Sequence, residues 1–205
     1  AVLARNIDRV IVSTDSENYA IIAKEYGAEV PFLRPAEIST DSSTDYELMK
    51  HALGWLKDSE GKVPEFIVHL RPTTPLRDPA VVFTALEAFR QEKKATSLRS
   101  VHEMPESAYK CFCIESGHLV DVVSSSNNID MSNNARQSYP KTYCGNGYVD
   151  VLRSELILQQ KKIHGDQVLA YVTRLIHEVD SEADFDYITY QIDRDQTLVE
   201  RLFQA

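Results

Sequence analysis

The sequence predicts an α/β protein built on a doubly wound, mostly parallel sheet with a protruding β-hairpin, and three observations carry that prediction. Short apolar runs without clean alternation, Val10-Ile11-Val12 and Phe66-Ile67-Val68-His69-Leu70, fit strands covered on both faces. Each run is followed by a segment with helix caps, and repeated strand, helix, strand units close through right-handed crossovers. After Glu103 the pattern shifts to two short β-type runs around a Glu-Ser-Gly turn, which reads as a hairpin.

Ile7 to Ser13 is the first expected strand, and Thr14-Asp15-Ser16 caps a helix that ends at Gly27. Glu29 to Leu33 is a second short extended piece, and Arg34 to Asp41 has the Pro, Ser and Thr content of a surface loop. Thr44-x-x-Glu47 is a capping box that opens an amphipathic helix with Leu48, Ala52, Leu53 and Leu56 on one face. The strand from Phe66 leads through a loop to Asp78-Pro79, which supplies the cap and first position of a helix carrying Val82, Leu86 and Phe89. A further strand is expected near Thr96 to Val101. Tyr109 to Ile114 and His118 to Val123 make the hairpin, whose two strands need a third partner or another subunit to be stable. Ser124 to Asn134, rich in Ser and Asn, reads as a loop or a ligand lid.

With 205 residues, 43% of them hydrophobic and 26% charged, the chain suits one domain with one sizeable core. A formal charge of −9 opposes a nucleic-acid partner, whose backbone demands a surplus of Lys and Arg. A free nucleotide stays admissible, because a few placed cations suffice for it. Cys111, Cys113 and Cys144 are odd in number and lack Cys-x-x-Cys spacing, so neither a disulfide framework nor a zinc site is suggested, and a reducing cytoplasm fits. No segment approaches the roughly 20 apolar residues that span a bilayer, so no membrane partner is expected.

Five segments carry residues suited to chemistry. Open α/β sheets bind ligands outside the carboxyl ends of their strands, where Ser13-Thr14-Asp15, the loop from Arg34, and Arg71-Pro72-Thr73-Thr74-Pro75-Leu76-Arg77 are expected. The two prolines stiffen the last loop and Thr73 and Thr74 offer hydroxyls, although taken by itself such a loop is more simply a helix lead-in. In Arg136 to Tyr148, the Arg136 guanidinium suits a carboxylate in a bidentate fork, and Asn146 between two glycines offers an amide that the backbone lets approach closely. A surface Arg and a Gly-Asn-Gly turn is the plainer reading. Glu178 and Asp180, two residues apart, lie on one side of an extended segment and suit Mg²⁺, which takes few carboxylates and keeps waters and phosphates. Asp180 or Ser181 as a helix cap explains the same residues.

Read together, Arg136-Gln-Ser-Tyr-Pro-Lys-Thr-Tyr-Cys-Gly-Asn-Gly-Tyr148, Arg71 to Arg77, and Val179-Asp-Ser-Glu-Ala-Asp-Phe185 resemble the acylneuraminate cytidylyltransferases, from about Ile7 to Ile192. Members of that family activate sialic acids and related nine-carbon sugar acids as CMP-sugars. The resemblance implies a Rossmann-like nucleotidyltransferase fold, a single domain over 1–205, and an arm at about 103–135 that pairs two subunits into a homodimer. It also implies CTP and a sugar acid as substrates and Mg²⁺ at Asp180, with Glu178 a longer substitute for an aspartate. Arg136 matches the residue that grips the sugar carboxylate, and Asn146 matches one in the ligand site. Arg71, Thr73 and Thr74 fall on the sugar side, and Arg34, Thr44, Ser13 and Asp15 on the nucleotide side. Thr44 is already explained by its capping role. His51 and His69 are expected as packed or exposed residues, and Tyr139, Tyr143 and Tyr148 as pocket wall or core.

The sequence departs from the family at Arg71, where relatives commonly carry Gln, and at Cys144, where many carry Arg. Family members also open with a strand and a Gly/Ser-Lys-rich triphosphate loop, whereas this sequence begins inside the helix that comes after it. The expectation is a natural chain roughly 25 to 35 residues longer. Two rival readings remain: a catalytically silent sugar-acid-binding or dimerisation module of the same fold, and a synthetase for an eight-carbon sugar acid.

Overall fold

The computed structural model describes residues 1–123, 128–195 and 197–203. Among the described residues six strands are formed: β1 (Phe66–His69), β2 (Ser97–Glu103), β3 (Phe112–Glu115), β4 (His118–Asp121), β5 (Tyr143–Arg153) and β6 (Val168–Thr173). Four of them make one sheet in the order β1-β5-β2-β6, and β3 and β4 pair separately. β1, β2 and β6 run the same way, and β5 runs against them between β1 and β2. The α/β class is as predicted, but two of the three ladders of the sheet are therefore antiparallel.

The helices are α1 (Glu17–Glu25), α2 (Asp45–Glu60), α3 (Pro79–Gln91), α4 (Glu182–Arg194) and α5 (Thr197–Phe203). Their starts follow local chemistry. Ser16 caps α1, Asp78 accepts from Ala80 N–H ahead of Pro79 in α3, and Thr44 and Glu47 close a reciprocal capping box on α2. Gly61 ends α2 in the left-handed conformation, at φ 68°.

α3 covers one face of the sheet, where Val82, Ala85, Leu86 and Phe89 pack with Leu98, Val149 and Val151. α2 covers the other face, with Met49 and Leu53 against Leu152 and Ile157. The in-register pairs explain the split: Val68 opposite Val151 looks toward α3, and Ile67 opposite Leu152 looks toward α2.

Several expectations change. Residues 1–6 form turns rather than a helix. The strand expected from Ile7 to Ser13 is reduced to one parallel bridge, Ile11 with Glu29, because no longer ladder forms beside it. The hairpin is shorter than expected, since Ala108–Lys110 coils into a 3-10 turn and β3 starts only at Phe112. The Ser/Asn-rich loop lies outside the described residues at 124–127, and Ile129–Asn133 is a 3-10 helix. The largest miss is β5: Tyr143 to Tyr148, read as a ligand segment, is the front half of an 11-residue strand. No described helix is long and apolar enough to cross a membrane, and Cys111, Cys113 and Cys144 are free.

Candidate functional site

The Arg71–Arg77 loop leaves the carboxyl end of β1 and is held against β5. Thr74 N–H donates to Arg71 O at 3.2 Å, and Arg77 N–H donates to Pro75 O at 2.9 Å. The Arg77 guanidinium staples loop to strand, with Nε donating to Tyr148 O at 2.5 Å and Nη2 to Arg71 O at 2.9 Å and Gly147 O at 3.1 Å. Burial lowers the Arg77 pKa to about 10, which leaves it charged at neutral pH. On the same joint, Asp78 N–H donates to Tyr148 Oη at 2.5 Å.

A third segment closes on this pair, as Val179 N–H donates to Thr73 O at 2.8 Å. All three meet at Gly147, whose φ is +60°. A Cβ there would lie 2.5 Å from Glu178 Oε1 and 2.9 Å from Arg71 Cδ, so both the backbone and the space require glycine. The β5 register slips at this point: Arg99 faces Asp150, yet Val101 faces Gly145. That bulge brings Asn146 and Gly147 to the Arg71 loop.

Of the predicted sugar-side residues, Arg71, Thr73, Thr74 and Asn146 thus come together, with distinct duties. Arg71 pairs through Nη2 with Asp45 in the first turn of α2. Thr73 contributes its carbonyl to Val179, while Thr74 Oγ1 is buried with no described partner. Asn146 is 2% exposed. Its Nδ2 donates to Thr173 Oγ1 at 2.7 Å, and its Oδ1 accepts from Tyr148 N–H at 3.3 Å, so much of the amide is engaged within the fold. Tyr148 is core, as one of the two expected readings had it.

Of the residues expected on the nucleotide side, Ser13, Asp15 and Arg34 gather at the end of the Ile11 bridge. Arg34 N–H donates to Thr14 O at 2.8 Å, its Nε donates to Ser39 Oγ at 2.9 Å, and its Nη2 lies 3.7 Å from Asp15. Ser13 Oγ is buried without a described partner. Thr44 Oγ1 donates to Glu47 Oε2 at 2.9 Å within the capping box, which accounts for its residue type.

Arg136 stands apart from Asn146, at the end of β2. Its Nη2 donates to Met104 O at 3.3 Å and lies 3.5 Å from Glu103, whose other oxygen accepts from Lys141 at 2.7 Å. Lys141, with Arg136 adding to it, holds the Glu103 carboxyl below the usual range. Two cations share one carboxylate beside an open recess of about 360 Å³ lined by Ser107, Gln137, Tyr139 and Thr142. An anion suits that surplus of positive charge.

Among the described residues no three His, Cys, Asp or Glu side chains cluster closely enough to hold a metal ion. A closed cage is therefore a poor fit, but Mg²⁺ held by one or two carboxylates and completed by waters and phosphates fits Glu178 and Asp180. Ser181, not Asp180, caps α4, in a capping box with Asp184 that draws the Asp184 carboxyl below its usual range. Asp180 is exposed, and no described residue bonds its carboxylate.

Two features escaped the sequence reading. Arg77 closes the quoted loop motif but was assigned no role, and nothing in its neighbours signals a buried staple. The other is a polar row across the sheet, where β1 pairs His69 with Asp150 and β2 pairs Arg99 with Asp150. A charged residue inside the run Tyr148-Val-Asp-Val-Leu152 was the available signal.

Comparison with known proteins places the chain in a family. Post-translational flagellin modification protein B of Campylobacter coli is 29% identical over 187 residues, 89% of this chain and 76% of that one. The N-acylneuraminate cytidylyltransferase of Escherichia coli O18:K1:H7 is 28% identical over 187 residues, 91% of this chain, and this chain spans only 42% of its length. The solved structure of CMP:2-keto-3-deoxy-manno-octonic acid synthetase complexed with CTP superposes with a TM-score of 0.66 at 10% identity, over 94% of this chain and 84% of that one, and speaks for the fold alone. The family described as Cytidylyltransferase matches residues 1–186, and the chain belongs to the cytidylyltransferase family.

Proposed function

We propose that this protein transfers CMP from CTP to the anomeric hydroxyl of a sialic-type nonulosonic acid and releases pyrophosphate. The observation that carries the reading is the convergence on Gly147 of the Arg71 loop, the β5 bulge and Glu178, at the carboxyl end of β1. The hydroxyl oxygen bonds to the α-phosphorus as the bond to pyrophosphate breaks, and the hydroxyl proton passes to solvent water. Catalysis is then mainly positioning and charge neutralisation.

Arg136 and Lys141 anchor the sugar carboxylate, Arg71 and Thr74 face the sugar, and Asn146 orients it. Arg34 with Ser13 and Asp15 borders the nucleotide, next to Thr44 at the head of α2. Asp180, with Glu178, holds Mg²⁺, which when bound neutralises phosphate charge. The exposed Ile114 on β3, at 75%, and Leu119 on β4 support a homodimer through the hairpin, and a monomer mass in sedimentation would refute it.

The test is Mg²⁺-dependent pyrophosphate release from CTP against a panel of eight- and nine-carbon 2-keto-3-deoxy acids. Turnover with a nine-carbon acid is expected, falling about 100-fold or more in Asp180→Asn and in Arg136→Ala. No release with any acid from a folded protein would overturn the reading.

A further inference from the structure

The polar row beneath the Arg71 loop is not explained by folding. Asp150 is 4% exposed, its Oδ1 is fully buried, and no described residue donates to that oxygen. Its ladder neighbours are His69 on one side and Arg99 on the other, all on the α2 face. In-register opposite charges ordinarily pair, yet no ion pair joins Arg99 and Asp150 among the described residues.

Arg99 is turned elsewhere. Its Nε and Nη2 lie 3.1 and 3.2 Å from where a Cβ on Gly145 would sit, and its Nη1 is 3.4 Å from His164 Nε2. Gly145, lacking a side chain, admits the guanidinium to that place. Arg71 is likewise drawn off, to Asp45. Both nearby arginines thus have other partners, and the carboxylate keeps a vacant acceptor. A buried acceptor without a donor is costly, and one kept in a native fold calls for an explanation, a ligand donor among them. Asp150 sits three residues after Gly147, on the strand that forms the bulge.

We propose that Asp150 is a specificity-determining acceptor, receiving a hydrogen bond from a neutral donor, a hydroxyl or amide N–H, on the sugar acid. His69 and Arg99 border that acceptor, and the Asp45–Arg71 pair fixes the loop above it. This inference rests on the reading of the protein as a sugar-acid cytidylyltransferase. A site built to accept from a substrate donor strongly rejects an analogue that lacks it.

The experiment measures kcat/KM for wild type and Asp150→Asn with matched nine-carbon 2-keto-3-deoxy acids that carry hydroxyl, acetamido or hydrogen at one ring carbon at a time. Wild type should favour the donor-bearing acid over its hydrogen analogue by tenfold or more at one carbon. Asp150→Asn, which replaces the carboxylate with a weaker neutral acceptor, should lose most of that preference through a raised KM for the donor-bearing acid. Equal wild-type rates on every donor and hydrogen pair, a measurement independent of whether the variant folds, would overturn the inference. So would a variant that keeps the wild-type preference or loses activity uniformly on all acids. A wild-type protein inactive with every acid defeats the functional reading itself, and the inference with it.

Discussion

The two faces of the central sheet are made by the same strands and have opposite characters. Toward α3, Val68, Leu98, Val149 and Val151 close on Leu86 and Phe89, an apolar layer with nothing left to satisfy. Toward α2, the layer begins equally apolar, with Ile67 and Leu152 against Met49 and Leu53, but nearer the carboxyl end of β1 it turns into His69, Asp150 and Arg99. One face is arranged for stability throughout. The other gives up apolar burial where the Arg71 loop and the bulge at Gly147 meet, which is where the proposed ligand sits.

The sharpest contrast is a cavity on the stability face. Phe89 is fully buried and meets Phe66 edge to face at 5.4 Å. Phe89→Ala is expected to cost about 3–5 kcal/mol of unfolding free energy while leaving relative sugar preference unchanged. Denaturant titration and a substrate panel check both halves, and a changed preference would break the division of labour.

On the other face the sign reverses. Burial pushes the Asp150 carboxyl above its ordinary range, against the pull of Arg99, His69 and Arg71 and with the push of Asp45. A folded-state pKa above the unfolded value gives stability that is present below the unfolded pKa and lost as pH rises through the folded one. Asp150→Asn removes that loss. The variant is expected to be about 1–3 kcal/mol more stable than wild type near pH 7, with the gap shrinking toward about pH 4. His69, whose pKa burial lowers, contributes with the opposite slope in both proteins. A variant less stable than wild type at neutral pH would show that the carboxylate is structural.

The contrast also explains what the sequence disclosed. Caps and apolar periodicity are local, so α1, α2, α3 and β1 were legible from Ser16, Thr44, Asp78 and the Phe66 run. Within Tyr143 to Arg153, by contrast, the glycines, Asn146 and Asp150 hide the strand pattern, and only its insertion between β1 and β2 makes it one. The strand from Ile7 failed for the converse reason, an apolar run with only one ladder bridge. At the site, the chemistry of Arg71, Thr74, Asn146 and Glu178 was legible as residue types. That Asn146 is engaged by Thr173, and that Arg77 is the staple, depends on contacts across 27 and 71 residues of sequence, which no local pattern records.

The smallest stability effect belongs to the Asp45–Arg71 pair, where the two faces can be told apart most cleanly. Both side chains are about one third exposed, so solvent screens the pair, and Asp45→Asn is expected to change stability by less than about 1 kcal/mol. Asp45 nevertheless sets where Arg71 points, and the Arg71 side chain and the Glu178 carboxylate both crowd Gly147. Released from Asp45, the guanidinium can swing toward Glu178 and disturb the sugar side. KM for the sugar acid should therefore rise several-fold while the denaturation midpoint and KM for CTP hardly move. Steady-state kinetics with each substrate varied in turn decide the matter. An unchanged sugar KM would mean that the pair merely covers the end of α2, and that the functional half of this face begins only at Asp150.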